Sequence, residues 1–175
     1  MHRLPAFFAL CVAFCLLACA PCERPESAEA VADQPYVSAA SAIEAGRYLL
    51  IAAGCNDCHT DGYLMSEGAV PEESWLTGAP IGWRGPWGTT YPPNLRLTVR
   101  NLSEDTWVEM LRSRKALPPM PWMNVNQLAA DDSRALYQYI RSLGPAGEPM
   151  PAAVPPGQEP TTPFISLEPV EPEAD

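Results

Sequence analysis

Cys55-Asn56-Asp57-Cys58-His59 places two thiols three positions apart and an imidazole directly behind the second. Two thiols at this spacing can each add to one of two vinyl groups on the same porphyrin edge. The next residue is then held under the ring, where Nε2 of a histidine can bind iron. The pattern therefore reads as a covalent attachment site for one haem c through Cys55 and Cys58, with His59 as an axial iron ligand. Other uses of Cys-x-x-Cys fit less well. A redox dithiol belongs in a βαβ pattern that is missing here. A zinc site needs four ligands, and no second Cys or His pair completes one. A plain disulfide leaves His59 unexplained.

A second iron ligand follows by elimination. His2 leaves with the amino-terminal segment read below as a signal, and no histidine lies beyond His59, so bis-histidine ligation within the mature chain is excluded. Thioether sulfur is the natural soft partner and raises the potential. Met65 lies too close behind the attachment residues to reach the opposite face. Met110 belongs to a helix pattern and reads as core. Met150 lies in a proline-rich tail. Met120 stands between Pro119 and Pro121 in a stiff extended loop, which can hold a sulfur at fixed distance. Met120 is the expected ligand, with Met123 as the alternative.

The elements that position these groups can be read around them. Ser41-Ala42-Ile43-Glu44 has capping-box spacing and opens a helix over about 40–53. Residues 60–100 are rich in Gly, Pro and Trp and read as loop. Ser103 opens a second helix with Glu104 and Asp105 in its first turn, where the helix dipole favours them. Leu117 to Trp122 is kept extended by its prolines. Asp131-Asp132 start a third helix with Leu136, Tyr139, Ile140 and Leu143 on one face, ending at Gly144-Pro145. Here too the acidic pair reads as helix-start electrostatics. The expected fold is all-α: three to four short helices, with long Pro-, Gly- and Trp-rich loops wrapped around one covalent haem.

At the amino end, Met1-His2-Arg3 is basic and Leu4–Ala18 is almost wholly apolar, as in a secretory signal. Leu16-Leu17-Ala18-Cys19 resembles the bacterial lipobox, which implies cleavage after Ala18 and lipidation of Cys19; the alternative, ordinary cleavage after Ala20, puts Pro21 directly behind the cut, which signal peptidases tolerate badly. The chain then divides into a signal peptide (1–18), a lipidated flexible tether (19–39), the haem domain (40–143) and a Pro/Glu-rich tail (144–175). That tail reads as coil, with Phe164-Ile165 as an apolar knot that can dock on the domain. Cys22 receives no role. After residue 20 no apolar run is long enough to span a bilayer, which excludes a multi-pass membrane protein.

Beyond the attachment motif, Gly46-Arg47-Tyr48-Leu49-Leu50 and Gly54–Thr60 resemble the opening of small monohaem class I cytochromes c. Gly85-Pro86-Trp87-Gly88-Thr89-Thr90-Tyr91 with Asn94-Leu95 resembles the middle of one bacterial branch, although Arg96-Leu97-Thr98 follows where that branch carries Thr-Pro-Asp. Pro118-Pro119-Met120-Pro121-Trp122 resembles its distal ligand loop, and Ala135–Leu143 its last helix. The likeness spans about residues 40–145. It implies that Met120 is the axial ligand and that the first and last helices cross, Gly46 letting an aromatic such as Tyr139 approach.

Smaller expectations concern the pocket. Arg84 and Arg96 pair with haem propionates or stand as solvated surface cations. Trp87 and Trp122 form an apolar wall, and Tyr91 is a further candidate to reach a propionate.

The chain carries 11 Lys+Arg against 21 Asp+Glu, a formal charge of −10. That excludes nucleic acid, which needs a basic stripe. It favours redox donors and acceptors that dock through a basic patch. The resulting expectation is a non-enzymatic electron carrier on the periplasmic side of a bacterial membrane, lipid-anchored, with no small-molecule substrate at the iron. A haem subunit of a larger membrane dehydrogenase or oxidase is the second reading. An enzyme or gas sensor with an open iron site is the third.

Overall fold

The structure is a computed structural model that describes residues 34–171. The signal segment, Cys19, Cys22 and most of the tether lie outside the described residues.

Helix α1 (Ala42–Ala52) starts where the capping box places it: the Ser41 hydroxyl accepts from the Glu44 amide. Gly54 turns the chain at φ 67° into α2 (Cys55–His59). A single 3₁₀ turn (Glu72–Ser74) follows. Strands β1 (Gly82–Gly85) and β2 (Gly88–Thr90) form an antiparallel hairpin. Asn94 caps α3 (Leu95–Arg100) by accepting from the Leu97 amide, and Ser103 caps α4 (Glu104–Ser113) through the Thr106 amide. After the proline loop come α5 (Trp122–Val125) and α6 (Ala130–Ser142). The tail adds β3 (Phe164–Ser166), parallel to β1, giving the sheet order β2-β1-β3.

The three longer helices stand within a residue or two of their expected bounds. The stretch 60–100 departs from the loop expectation, since it holds the 3₁₀ turn, the hairpin and α3. Their patterns were too short to show a period. The described residues are thus of mixed secondary structure, helices together with a small sheet.

Helices α1 and α6 cross at contact distance. A Cβ on Gly46 would fall on the Ala135 carbonyl and 2.8 Å from Tyr139 Cβ, so only glycine permits this approach. The core lies around the crossing: Leu50, Leu76, Val99, Tyr139 and Ile140 are nearly or wholly removed from solvent. Trp107 seals the α4–α6 side, donating from Nε1 to the Ser133 carbonyl at 3.0 Å. Arg47 grips Glu72 with two nitrogens, and the Tyr139 hydroxyl donates to the same carboxylate at 2.7 Å. One acidic group therefore ties both crossing helices to the 3₁₀ turn.

Asp132 does more than favour a helix start. It is buried, and its carboxylate accepts from the Tyr36 and Val37 amides, docking the end of the tether.

The tail is not free coil. Val154 bridges Thr89 in both directions at 2.8 Å, the Gly82 amide donates to Pro163, and Leu167 donates to Arg84. Arg84 forms a two-pronged ion pair with Glu159 and lies over the Phe164 ring. A Pro/Glu-rich composition gives no local signal for such a strap, because its order comes from partners 65 to 83 residues away.

Candidate functional site

The residues expected to attach a haem sit on one turn of helix. Cys55 and Cys58 are free thiols, partly buried, at opposite ends of the first turn of α2. Burial pushes the Cys55 thiol up to about 11 and raises Cys58 in the same direction, with Asp57 adding to both. Reactive redox dithiols have depressed values instead. Burial thus favours the thiol over the thiolate at both positions.

His59 is buried. Its Nδ1 lies 2.9 Å from the Pro93 carbonyl, which can only accept, so Nδ1 carries the proton. The Nε2 lone pair is left for a metal, which is the orienting arrangement expected of a metal-binding histidine. Burial lowers the imidazole below its ordinary range and keeps it neutral. The turn itself is pinned from beneath. Thr60 Oγ1 donates to Asn56 Oδ1 at 2.7 Å and accepts from the Leu76 amide at 2.8 Å, while the Gly78 amide donates to the His59 carbonyl.

Met120 is half-buried in the proline loop, and Met123, three residues on, is 71 % exposed. Thr90 at the end of β2 donates to the Pro118 carbonyl at 2.6 Å and so fixes the loop two residues before Met120. Met65 is exposed. Met110 packs partly buried against the core. Met150 lies against Gly78, where a Cβ would meet its Cγ at 2.5 Å.

The segment Thr90–Asn94 is a structural hub, a role that its place in the family-like middle segment did not reveal. Thr90 holds the methionine loop and Pro93 orients His59. Tyr91 shares a 2.7 Å hydrogen bond with Thr162, and Asn94 Nδ2 donates to Ala146 and Glu148 carbonyls of the tail. Asn94 was visible as a helix cap in principle. The Pro93 carbonyl carries no side-chain signature at all.

Three expectations about the pocket change. Arg96 is neither solvated nor aimed at a carboxylate: it is buried and donates to the Glu73, Leu143 and Gly144 carbonyls, closing the end of α6. Arg84 is engaged by Glu159, and the Tyr91 hydroxyl by Thr162. Trp87 and Trp122 are only half-buried as residues, yet their indole Nε1 atoms are buried without a partner among the described residues. Two indole N–H donors near Met120 and the hairpin, lacking an acceptor from the protein, suit a bound group that brings acceptors. With two free thiols, a preset Nε2 and a thioether, the residues fit a haem. No three His, Cys, Asp or Glu side chains among the described residues group as a protein-only metal site. No helix among them is long and apolar enough to cross a membrane.

No family model matches the chain, and no solved structure matches it. The chain is 28 % identical over 116 residues to the fructose dehydrogenase cytochrome subunit of Gluconobacter japonicus. The match covers 62 % of this chain and 23 % of that protein, so the chain spans less than a quarter of the relative's length. A dehydrogenase cytochrome subunit is thus a distant, partial relative of this chain.

Proposed function

We propose that this chain is a monohaem c-type cytochrome that transfers electrons and works with a dehydrogenase. The observation that carries the reading is the His59–Pro93 hydrogen bond, which presets Nε2 of the residue directly behind two free thiols on one helical turn. Cys55 and Cys58 would hold the haem by thioethers, and His59 and Met120 would hold the iron. When bound, haem supplies a one-electron couple. The chain's own residues fix the ligands: Pro93 sets the imidazole, Thr90 sets the methionine loop, and the α1–α6 crossing anchors α2.

The all-α cytochrome c fold remains part of this proposal, with the sheet as an addition. So does placement on the periplasmic side of a bacterial membrane through a lipid on Cys19, which rests on sequence alone. Between a free carrier and a subunit, likeness to a dehydrogenase cytochrome subunit favours a place within a larger complex.

The test is a redox-titrated visible spectrum of protein made in a host that attaches haem c. The native protein should show a low-spin spectrum that ignores carbon monoxide, and its haem should stay with the polypeptide through acid–acetone extraction. Haem that is absent, or that passes into the acetone, overturns the reading. Ready carbon monoxide binding brings the open-site enzyme or sensor forward.

A further inference from the structure

The chain is strongly acidic, yet its charge is unevenly placed. From Met110 to Ala130 there is no Asp or Glu. The same stretch holds Arg112, Arg114 and Lys115, the chain's single lysine, and all three are exposed. Other cations are engaged elsewhere: Arg47 by Glu72, Arg84 by Glu159, and Arg134 by Glu104 and Asp105. Arg114 and Lys115 form no ion pair among the described residues. Arg114 instead lies over the Trp122 ring at 5.1 Å.

The stretch folds as one hairpin. Asn126 Nδ2 donates to the Leu111 carbonyl at 2.6 Å and to the Arg114 carbonyl at 3.3 Å, drawing α5 back against the end of α4. Met120 lies in the bend. On the same hairpin Leu117 is 50 % exposed and Met123 is 71 % exposed. The preference for cations at a helix C-terminus accounts for Arg112. It does not account for Lys115, beyond the end of α4, or for two large apolar side chains left in water.

We propose that this hairpin is the docking surface for a redox protein that presents an acidic rim around an apolar centre. A small apolar centre with a charged rim is the general plan of protein interfaces. Pro118, Pro119 and Pro121 stiffen the bend, which suits a transient protein contact better than insertion into lipid. The proposal goes beyond the haem reading and rests on it for its purpose, since docking here brings a partner beside Met120. It also departs from the expectation of a basic partner patch. Net charge sets the distant field, whereas within a Debye length the local cations decide which surface is accepted.

The experiment uses the full-length haem protein carrying Cys19→Ser. Oxidation of the reduced protein is followed with ferricyanide and with tris(phenanthroline)cobalt(III). The double variant R114E/K115E is compared with R100E/R141E, which has the same net charge. Slowing with ferricyanide by about threefold or more in R114E/K115E alone, with faster reaction of the cobalt complex, is expected. Equal slowing in both doubles would assign the effect to net charge and overturn the proposal, as would no slowing in either. K115E alone, which leaves the Trp122 stack in place, covers the case of a double that does not fold, and it should show a smaller change of the same sign.

A readout independent of electron transfer accompanies this. Paramagnetic hexacyanochromate(III) should broaden the amide signals of Lys115, Leu117 and Met123; broadening elsewhere only would overturn the assignment. This mapping holds whether or not the iron ligation is as proposed, so the two readings fail separately. Co-sedimentation with phosphatidylglycerol–phosphatidylcholine vesicles is the last arm. Lipid binding lost in K115E would make the hairpin a membrane contact and overturn the protein-docking proposal.

Discussion

The Pro93 carbonyl fixes the His59 tautomer from 2.9 Å away, across 34 residues of sequence. In the haem-free chain this makes a direct prediction. Nitrogen-15 shifts of His59 should report a protonated Nδ1 and a bare Nε2. Because burial lowers its pKa, the ring should stay neutral until the pH falls below the ordinary histidine value of 6.5. An Nε2–H tautomer at neutral pH would contradict the assignment.

The two candidate methionines separate by one pair of variants. Met120→Ala in the haem-loaded protein should lose the weak far-red sulfur–iron band and gain high-spin character. Met123→Ala should keep the native spectrum, because its side chain is mostly in water. The reverse pattern would move the ligand to Met123.

Glu72 predicts an acid limb to stability. Its hydrogen bonds from Arg47 and then Tyr139 hold it below the usual carboxylate range. A lowered folded pKa contributes stability that is present above the unfolded value of about 4.5 and is lost as pH falls through the folded value. Urea midpoints should therefore fall on acidification below pH 4.5, and the Glu72→Gln variant should show a shallower decline. At neutral pH, Tyr139→Phe should cost about 1–2 kcal/mol, because a hydrogen bond to a charged group is worth about 1.5–3 kcal/mol and water at the half-exposed Glu72 carboxylate reduces it.

Gly46→Ala should be among the most damaging single methyl additions. The new methyl meets the Ala135 carbonyl, which is helix backbone and cannot turn aside. A loss of about 1–3 kcal/mol in urea unfolding is expected, the range for overpacking, with the rigid carbonyl placing it toward the upper end.

Removing the tail after Gly144 should lower the melting temperature and alter tryptophan emission. The cut deletes β3, the Val154–Thr89 bridge and the Glu159 partner of Arg84. An unchanged melting curve would show that the strap contributes nothing to the fold.

Much of this was legible from local signals. Ser41 and Ser103 announce their helices because a capping hydroxyl acts within three residues. Cys55, Cys58 and His59 stand out as a candidate site because the chemistry proposed for them depends on adjacency, and the structure places them on one helical turn. The close approach at Gly46 followed from resemblance and is seen in the geometry. What stayed hidden depends on long-range partners: the Pro93 carbonyl, the burial of Arg96 among carbonyls, and a parallel strand in a proline-rich tail. The hairpin β1–β2 stayed hidden for a different reason, since strands of three and four residues are too short to display alternation.

Thr90 and Pro93 have one more consequence. The loop carrying Met120 and the ring of His59 are referred to the same short run of backbone, only three residues apart. On the proposed ligation, the two ligands would shift together with this strut when the structure fluctuates. The separation of sulfur and nitrogen would then change little between oxidation states. A low reorganisation energy, and hence rapid self-exchange, would follow on that ligation from the way these four residues of backbone are shared.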